Sequence, residues 1–325
     1  MPKVYVTRMI PQAGIEKLKE KGYDVTINPD DQALDTSELI DALKGKGYDA
    51  VLCLLTDHVN AEVLDAAGSN CRIFANYAVG YDNIDVKAAS ERNIVITNTP
   101  GILTESVAEH TFALMLAISR RIAEADRFVR AGKYKGWAPK LLLGNDVSGK
   151  IIGIVGLGRI GSRVAHHAAG GFDARIIYHD LTRNEEFEKS VGAVYRETLE
   201  ELLGEADYVS LHVPLLPQTK HLINAEKLKL MKHSAYLINT SRGPVIDEAA
   251  LVHALKKKEI KGAALDVFED EPELKPGLAE LDNVILTPHI ASGTEETRNK
   301  MAEMAAENII AVFEGRTPPQ LVKPS

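Results

Sequence analysis

IIGIVGLGRIG, residues 151–161, decides how this chain is read. The apolar run 151–155 leads into Gly156-Leu157-Gly158-Arg159-Ile160-Gly161, and a helical pattern continues through Ala169. The next apolar run, 175–179, ends at Asp180. G-x-G-x-x-G between a strand and a helix, with an acid about 20 positions on, is the pattern of a dinucleotide-binding βαβ unit. Each residue has its own physical task. Gly156 permits the tight turn, Gly158 lets a pyrophosphate approach the backbone, and Gly161 lets helix and strand pack closely. The helix N-terminus offers unpaired N–H groups to the diphosphate. Asp180 would accept hydrogen bonds from the adenosine ribose. A loop for adenosylmethionine also sets an acid on a ribose, so taken alone the loop leaves a methyltransferase open.

Outward from the loop, short β-branched runs alternate with helix-period segments nearly throughout. One series of expected strands lies at 4–7, 25–28, 50–55, 72–76 and 94–97. A second lies at 151–155, 175–179, 208–212, 235–239, 263–267 and 284–287. Apolar runs each followed by a helix are the signature of parallel sheets, so the chain reads as α/β with two doubly wound domains. Asn98-Thr99-Pro100-Gly101 punctuates the chain after the first series. One long helix is expected over 104–130. The final helix, 294–313, follows the last strand and fits a return of the chain to its first domain.

Composition bounds the function. A chain of 325 residues, 45% hydrophobic and 26% charged, buries a large core. The net charge of −8 argues against nucleic acid as the main partner, which needs clustered Lys and Arg. No apolar run reaches the length of a membrane span, and MPKVYVTRMIPQ lacks a signal-peptide core. Cys53 and Cys71, the only cysteines, read as small buried hydrophobes in a reducing cytosol. The expected location is cytoplasmic, with no metal, nucleic acid or membrane partner.

Three strand ends carry chemistry. Strand 235–239 ends in Thr240-Ser241-Arg242-Gly243, strand 263–267 leads to Glu271-Pro272, and strand 284–287 ends in Pro288-His289. Open α/β sheets bind ligands beyond the carboxyl ends of their strands. Hydride transfer between a nicotinamide and a 2-keto acid fits these residue types. Arg242 can hold a carboxylate bidentately. His289 can protonate the keto oxygen as hydride reaches its carbon, and a nearby Glu271 would orient the imidazole and favour its charged form. Each also has a bland reading: a surface ion pair, one acid in the run 269–271, a strand-end cap.

NYAVGYDNID (76–85), VGLGRIG (155–161), LHVPLLPQTKHLI (211–223), LINTSRGPVID (237–247), ALDVFEDEP (264–272) and TPHIAS (287–292) together resemble the D-isomer-specific 2-hydroxyacid dehydrogenase family over nearly the whole chain. The resemblance implies that Arg242, Glu271 and His289 are the catalytic set. It implies that Val79 and Gly80 present backbone N–H groups to the substrate carboxylate, while the bulky Leu55, Val79 and Trp137 are expected to limit its side chain to a small one. It sets Arg159 and Ile160 on the pyrophosphate, and Val213, Pro214, Thr219, Thr240, Asp266 and Ser292 around the ends of NAD. The implied fold is a Rossmann domain, 100–288, inserted into a flavodoxin-like substrate domain made of 1–99 and 289–325. Such enzymes are similar in being homodimers joined through the cofactor domain, with the segment after Thr104 in the interface.

Within the family, Glu271 argues against formate, because formate dehydrogenases carry glutamine there. Val79 stands where phosphite dehydrogenases have lysine, and with the sequence ending at Ser325 the C-terminal regulatory domain of long phosphoglycerate dehydrogenases is not expected. NYAVGYDNID, DRFVRAGKY and the Trp137-Ala138-Pro139 segment are most similar to glyoxylate/hydroxypyruvate reductases. D-lactate-type and short phosphoglycerate dehydrogenases are the alternatives. A different class, NAD(H)-sensing co-repressors of the same fold, can retain the catalytic set. Asp180 favours NADH, since a carboxylate accepts from the ribose 2′-OH and repels a 2′-phosphate, although Arg183 three residues on pulls the other way.

Overall fold

The computed structural model describes residues 1–323. Two compact units make up the chain: Met1–Leu103 with the segment from Gly293 onward, and Thr104–Ser292. The first unit holds β1 (Lys3–Val6), α1 (Gln12–Glu20), β2 (Asp24–Ile27), α2 (Thr36–Leu43), β3 (Ala50–Leu54), α3 (Ala61–Ala67), β4 (Ile73–Tyr77), α4 (Val86–Glu91) and β5 (Val95–Thr97). Its strands are all parallel, in the order β2-β1-β3-β4-β5 of flavodoxin-like sheets. Central strands AVLCL and IFANY are covered on both faces, which is why they read as nearly unbroken apolar runs. Side-chain caps start the helices, with Asp35 and Glu38 forming a reciprocal capping box on α2 and Asn60 accepting from Val63 N on α3.

The second unit runs through α5 (Thr104–Ser119), α6 (Ile122–Arg130), β6 (Ile151–Val155), α7 (Arg159–Phe172), β7 (Arg175–His179), α8 (Glu185–Val191), β8 (Val194–Tyr195), α9 (Leu199–Glu205), β9 (Tyr208–Leu211), α10 (Ala225–Leu230), β10 (Tyr236–Asn239), α11 (Glu248–Lys257), β11 (Gly262–Leu265) and β12 (Val284–Leu286). Its seven parallel strands lie in the order β12-β11-β10-β9-β6-β7-β8. Renumbered from β6, that is the 3-2-1-4-5-6 order of a Rossmann sheet with one more strand after the sixth. Successive residues feed opposite faces, as the pleat requires. Val155, Leu237 and Ala263 join Leu202, Leu251 and Leu255, whereas Ile154, Ile238 and Ala264 join Phe112, Met115 and Val164.

After β12 the chain returns to the first unit as α12 (Glu295–Phe313). Gly14 on α1 lies so close to this helix that a Cβ there would meet Ala302 O at 2.5 Å. Tyr77 Oη donates to Arg298 O at 2.7 Å, and Val322 N donates to Ile96 O at 2.9 Å. The doubly wound, two-sheet architecture expected from the sequence is present.

Two local features differ from expectation. The helix expected over 104–130 is two helices, because Arg121, the N-cap of α6, takes a left-handed conformation (φ 55°) that interrupts the helical run after α5. No glycine or proline marks the break. The short β8 was also not expected; its two residues pair with Ile177 and Tyr178. Among the described residues, no helix is long and apolar enough to cross a membrane.

Candidate active site

The glycine loop sits where the strand order of the second unit reverses, between β6 and β9. Gly156 has φ 91°, and a Cβ there would approach His212 O, just past β9, to 2.8 Å. At Gly161 a Cβ would fall 2.1 Å from Gly156 O, so only glycine lets α7 begin this close to its strand. A Cβ built on Gly158 meets nothing within 4 Å, which leaves that side of the loop open. Gly158 is the N-cap of α7 and supplies no side-chain cap, so the first amides of the helix keep their capacity for an anion. Asp180 braces the loop by accepting Leu157 N at 2.6 Å with Oδ2 and Leu181 N at 2.6 Å with Oδ1. A cavity of about 510 Å³ adjoins it, lined by Leu157, Asp180, Thr182, Arg183, Asn184 and Glu185. Arg183 is held by Glu188 through Nε at 2.9 Å and Nη2 at 2.8 Å. A turn that only glycine can make, an open approach and an uncapped helix start together fit a dinucleotide diphosphate.

Three loops at the carboxyl edge of the same sheet carry Arg242, Glu271 and His289. The buried Asn239 cages the first: its Oδ1 accepts Ser241 N at 3.0 Å and Ser241 Oγ at 2.8 Å, and its Nδ2 donates to Arg242 O at 2.9 Å. Arg242 Nη1 donates to Ser241 O at 2.9 Å. The next residue must be glycine, since a Cβ on Gly243 would lie 1.7 Å from Phe268 O. That approach lays the Arg242 turn against the loop that carries Glu271. Glu271 uses both oxygens, Oε1 accepting Phe268 N at 3.0 Å and Oε2 lying 2.9 Å from His289 Nδ1. A carboxylate only accepts, so His289 carries a proton on Nδ1, and its Nε2 is the atom that can gain or give a second. His289 itself sits at φ 53°, a conformation unusual outside glycine, held by its amide bonds to Asp266 O at 2.8 Å and Thr287 O at 3.0 Å.

Leu55, Val79 and Gly80 belong to the first unit, beyond the carboxyl ends of β3 and β4. The carbonyl of Ala78 accepts Thr99 N at 2.8 Å, and that of Val79 accepts Asn98 Nδ2 at 2.7 Å. In a trans peptide the N–H points opposite to its carbonyl. The N–H groups of Val79 and Gly80 are therefore aimed away from residues 98–99. Asn76 Nδ2 fixes the Gly80 carbonyl at 2.9 Å and meets Asn83 Oδ1 at 3.2 Å. Asn83 Nδ2 in turn donates to the carbonyls of Leu54 and Asp57, bracing the turn around Leu55.

Comparison with known proteins follows the same line. Residues 112–291 match the family described as D-isomer specific 2-hydroxyacid dehydrogenase, NAD binding domain. The chain belongs to this family. It is 52% identical to a glyoxylate reductase of Korarchaeum cryptofilum, over 99% of this chain and 96% of that protein. A glyoxylate reductase of Pyrococcus furiosus is 48% identical over 99% of this chain and 95% of its own length. Among solved structures, an NADPH-dependent glyoxylate/hydroxypyruvate reductase of Sinorhizobium meliloti is similar with a TM-score of 0.87 at 32% identity, covering 99% of this chain and 98% of that one. This 2-hydroxyacid dehydrogenase is thus an NAD(P)-binding Rossmann oxidoreductase acting on a small 2-keto or 2-hydroxy acid.

In the dehydrogenase, Asp266 is the hub of the loop that bears His289. Its Oδ1 accepts Thr287 Oγ1 at 2.6 Å and Ile290 N at 2.9 Å, and its Oδ2 accepts Ala291 N at 2.8 Å. Burial alone would push this carboxyl up, yet bonds from His110, Thr287 and the two amides hold it below the ordinary carboxylate range. His110 Nε2 lies 3.2 Å from Thr287 Oγ1 and 3.4 Å from Asp266 Oδ1; the carboxylate only accepts and the hydroxyl has given its proton to it, so the ring nitrogen is the donor. Thr240 Oγ1 meets Thr111 Oγ1 at 2.9 Å. Thr219 Oγ1 is spent within its own turn, on Pro214 O at 2.6 Å and Leu216 N at 2.8 Å, and so shapes the Val213-Pro214 segment. Ser292 closes the second unit. Sequence reasoning passed over Asn98, Asn239 and His110. Asn98 was visible only as turn punctuation, and His110 only as one of ten histidines, set in the middle of a helical pattern.

Proposed function

We propose that this dehydrogenase reduces glyoxylate, and hydroxypyruvate after it, to the corresponding 2-hydroxy acid, D where the carbon is chiral, with NADH preferred over NADPH. The Glu271–His289 bond carries the reading, because it leaves an imidazole Nε2 ready to protonate a keto oxygen. Arg242 holds the substrate carboxylate as a bidentate fork, and the N–H groups of Val79 and Gly80 bind it as well. Leu55 and Val79 leave room for a small side chain only. Gly156, Gly158, Arg159, Ile160 and Gly161 hold the diphosphate of NAD, Asp180 its ribose, and Val213, Pro214, Thr219, Thr240, Asp266 and Ser292 its two ends. When bound, the nicotinamide supplies the hydride. The relatives named glyoxylate reductase support the substrate choice. Asp180, with Arg183 tied to Glu188, supports NADH, even though the similar Sinorhizobium meliloti enzyme is NADPH-dependent.

The same proposal makes the enzyme a homodimer through its cofactor domain. No residue of α6 is buried, and Ile122 and Val129 on it are exposed together with Tyr134, Trp137 (84%) and Leu143 (63%) further along. So much apolar surface in one segment is the mark of an interface. Sedimentation at twice 35.5 kDa supports it, and sedimentation at 35.5 kDa contradicts it.

A panel of glyoxylate, hydroxypyruvate, pyruvate, phenylpyruvate and phosphohydroxypyruvate, each with NADH and with NADPH, tests the function. The highest kcat/KM should fall on glyoxylate with NADH. A maximum on pyruvate or phosphohydroxypyruvate would reassign the chain to the D-lactate-type or short phosphoglycerate dehydrogenases.

A further inference from the structure

Glu248 opens α11 and is only 2% exposed, a rare state for a carboxylate. Neither oxygen serves its own helix. Oε2 accepts Glu269 N at 2.8 Å, and Oε1 accepts Lys275 N at 2.8 Å. Those two amides straddle Glu271. Glu269 closes the connection from the other side, its Oε2 accepting Glu248 N at 3.2 Å and its Oε1 lying 2.7 Å from His221 Nε2. The loop that carries Glu271 is thereby tied to the first turn of α11 on both sides, and Glu271 spans the interval to His289. A buried carboxylate is costly unless hydrogen-bonded, and here its bonds go wholly to this loop.

We propose that Glu248 is a positioning residue for the Glu271–His289 pair, holding the 269–275 loop so that Glu271 meets Nδ1 of the imidazole. This rests on the reading of that pair as the proton donor given above. The charged groups around the cluster are Glu269, His221 and Lys275, whose Nζ lies 2.5 Å from Asp270 Oδ2 and 4.0 Å from Glu269 Oε2, with Asp247 capping α11 at Ala250 N.

Glu248→Gln keeps one acceptor oxygen and turns an NH₂ toward an amide donor. Glyoxylate reduction at saturating NADH is measured across pH for Glu248→Gln, Glu271→Gln and the double variant, with NADH binding followed by fluorescence. A displacement near 1 Å in a catalytic group costs up to about 10²-fold, so kcat of Glu248→Gln should fall about 10- to 100-fold. The alkaline limb of its pH profile should move down, as in Glu271→Gln, and NADH affinity should stay within about threefold. Because both act through one contact, the double variant should lie within about threefold of Glu271→Gln alone. Multiplied losses in the double variant, or a kcat of Glu248→Gln within threefold of wild type, would overturn the inference. So would a loss confined to KM with an unmoved pH profile, which would place the effect in the neighbouring Arg242 turn. Glu248→Asp, too short to reach both amides, should behave like Glu248→Gln. If both variants also lose NADH binding, Glu248 serves the fold and not the pair. If Glu271→Gln itself leaves the pH profile unmoved, the reading of the pair fails, and this inference with it.

Discussion

Glu271 Oε2 and His289 Nδ1 stand 2.9 Å apart, while the other oxygen of Glu271 is anchored on the amide of Phe268. The carboxylate cannot turn away without breaking a second bond, so it orients the ring. On the proposed mechanism, reduction consumes a doubly protonated ring. Glu271→Gln removes the negative charge beside the ring, and the alkaline limb of kcat/KM for reduction should move down. A profile that stays in place would separate Glu271 from the proton transfer.

Asn98 is expected to govern substrate affinity. Its side chain holds the Val79 carbonyl, and that bond aims the Gly80 N–H. Asn98→Ala should raise KM for glyoxylate about tenfold, roughly 1.4 kcal/mol, with kcat within threefold, the signature of lost uniform binding. An unchanged KM would show that the cradle holds its shape without Asn98.

Cofactor choice should follow Asp180. Wild type should favour NADH over NADPH by about 10²-fold in kcat/KM, roughly 2.7 kcal/mol. Asp180→Ser should move the ratio toward NADPH, and adding Glu188→Gln, which frees Arg183, should move it further. A wild type that prefers NADPH would remove Asp180 as the selector.

Acid stability carries the imprint of His212. Desolvation pushes this imidazole down to about 3, and its Nε2 meets Ser210 Oγ at 2.8 Å. In the unfolded chain it titrates near 6.5. Between those values the unfolded state binds a proton that the folded state does not, so this contribution is complete above pH 6.5 and is lost as pH falls. It amounts to about 1.4 kcal/mol per pH unit for this one group. Denaturant melts at pH 7 and pH 5 should therefore differ less for His212→Asn, which keeps a polar group beside Ser210, than for wild type. Equal differences would mean that His212 is not held neutral.

The sequence told most where a residue's task is set by its immediate neighbours. Gly156, Gly158 and Gly161 announce a loop because turn, approach and packing all act within six residues. Arg242, Glu271 and His289 were visible because each follows an apolar run, and parallel strands deliver their ends to one edge. What stayed hidden depends on partners far along the chain. Glu248 is one of 46 acidic residues until the fold brings the amides of Glu269 and Lys275 to it. Asn98 reads as punctuation until Val79, 19 residues away, turns its carbonyl toward it. Arg121 takes its left-handed conformation with no glycine or proline beside it to signal a helix end.

On the proposed function, His289 gives the proton as hydride arrives at the keto carbon. Single-turnover reduction of glyoxylate by NADH, with wild type and His289→Gln compared at the same pH, tests it most directly. The variant should bind NADH within about threefold of wild type and oxidise it about 10²- to 10⁴-fold more slowly. A single-turnover rate within threefold of wild type would contradict the claim and leave the Glu271–His289 bond without a catalytic role.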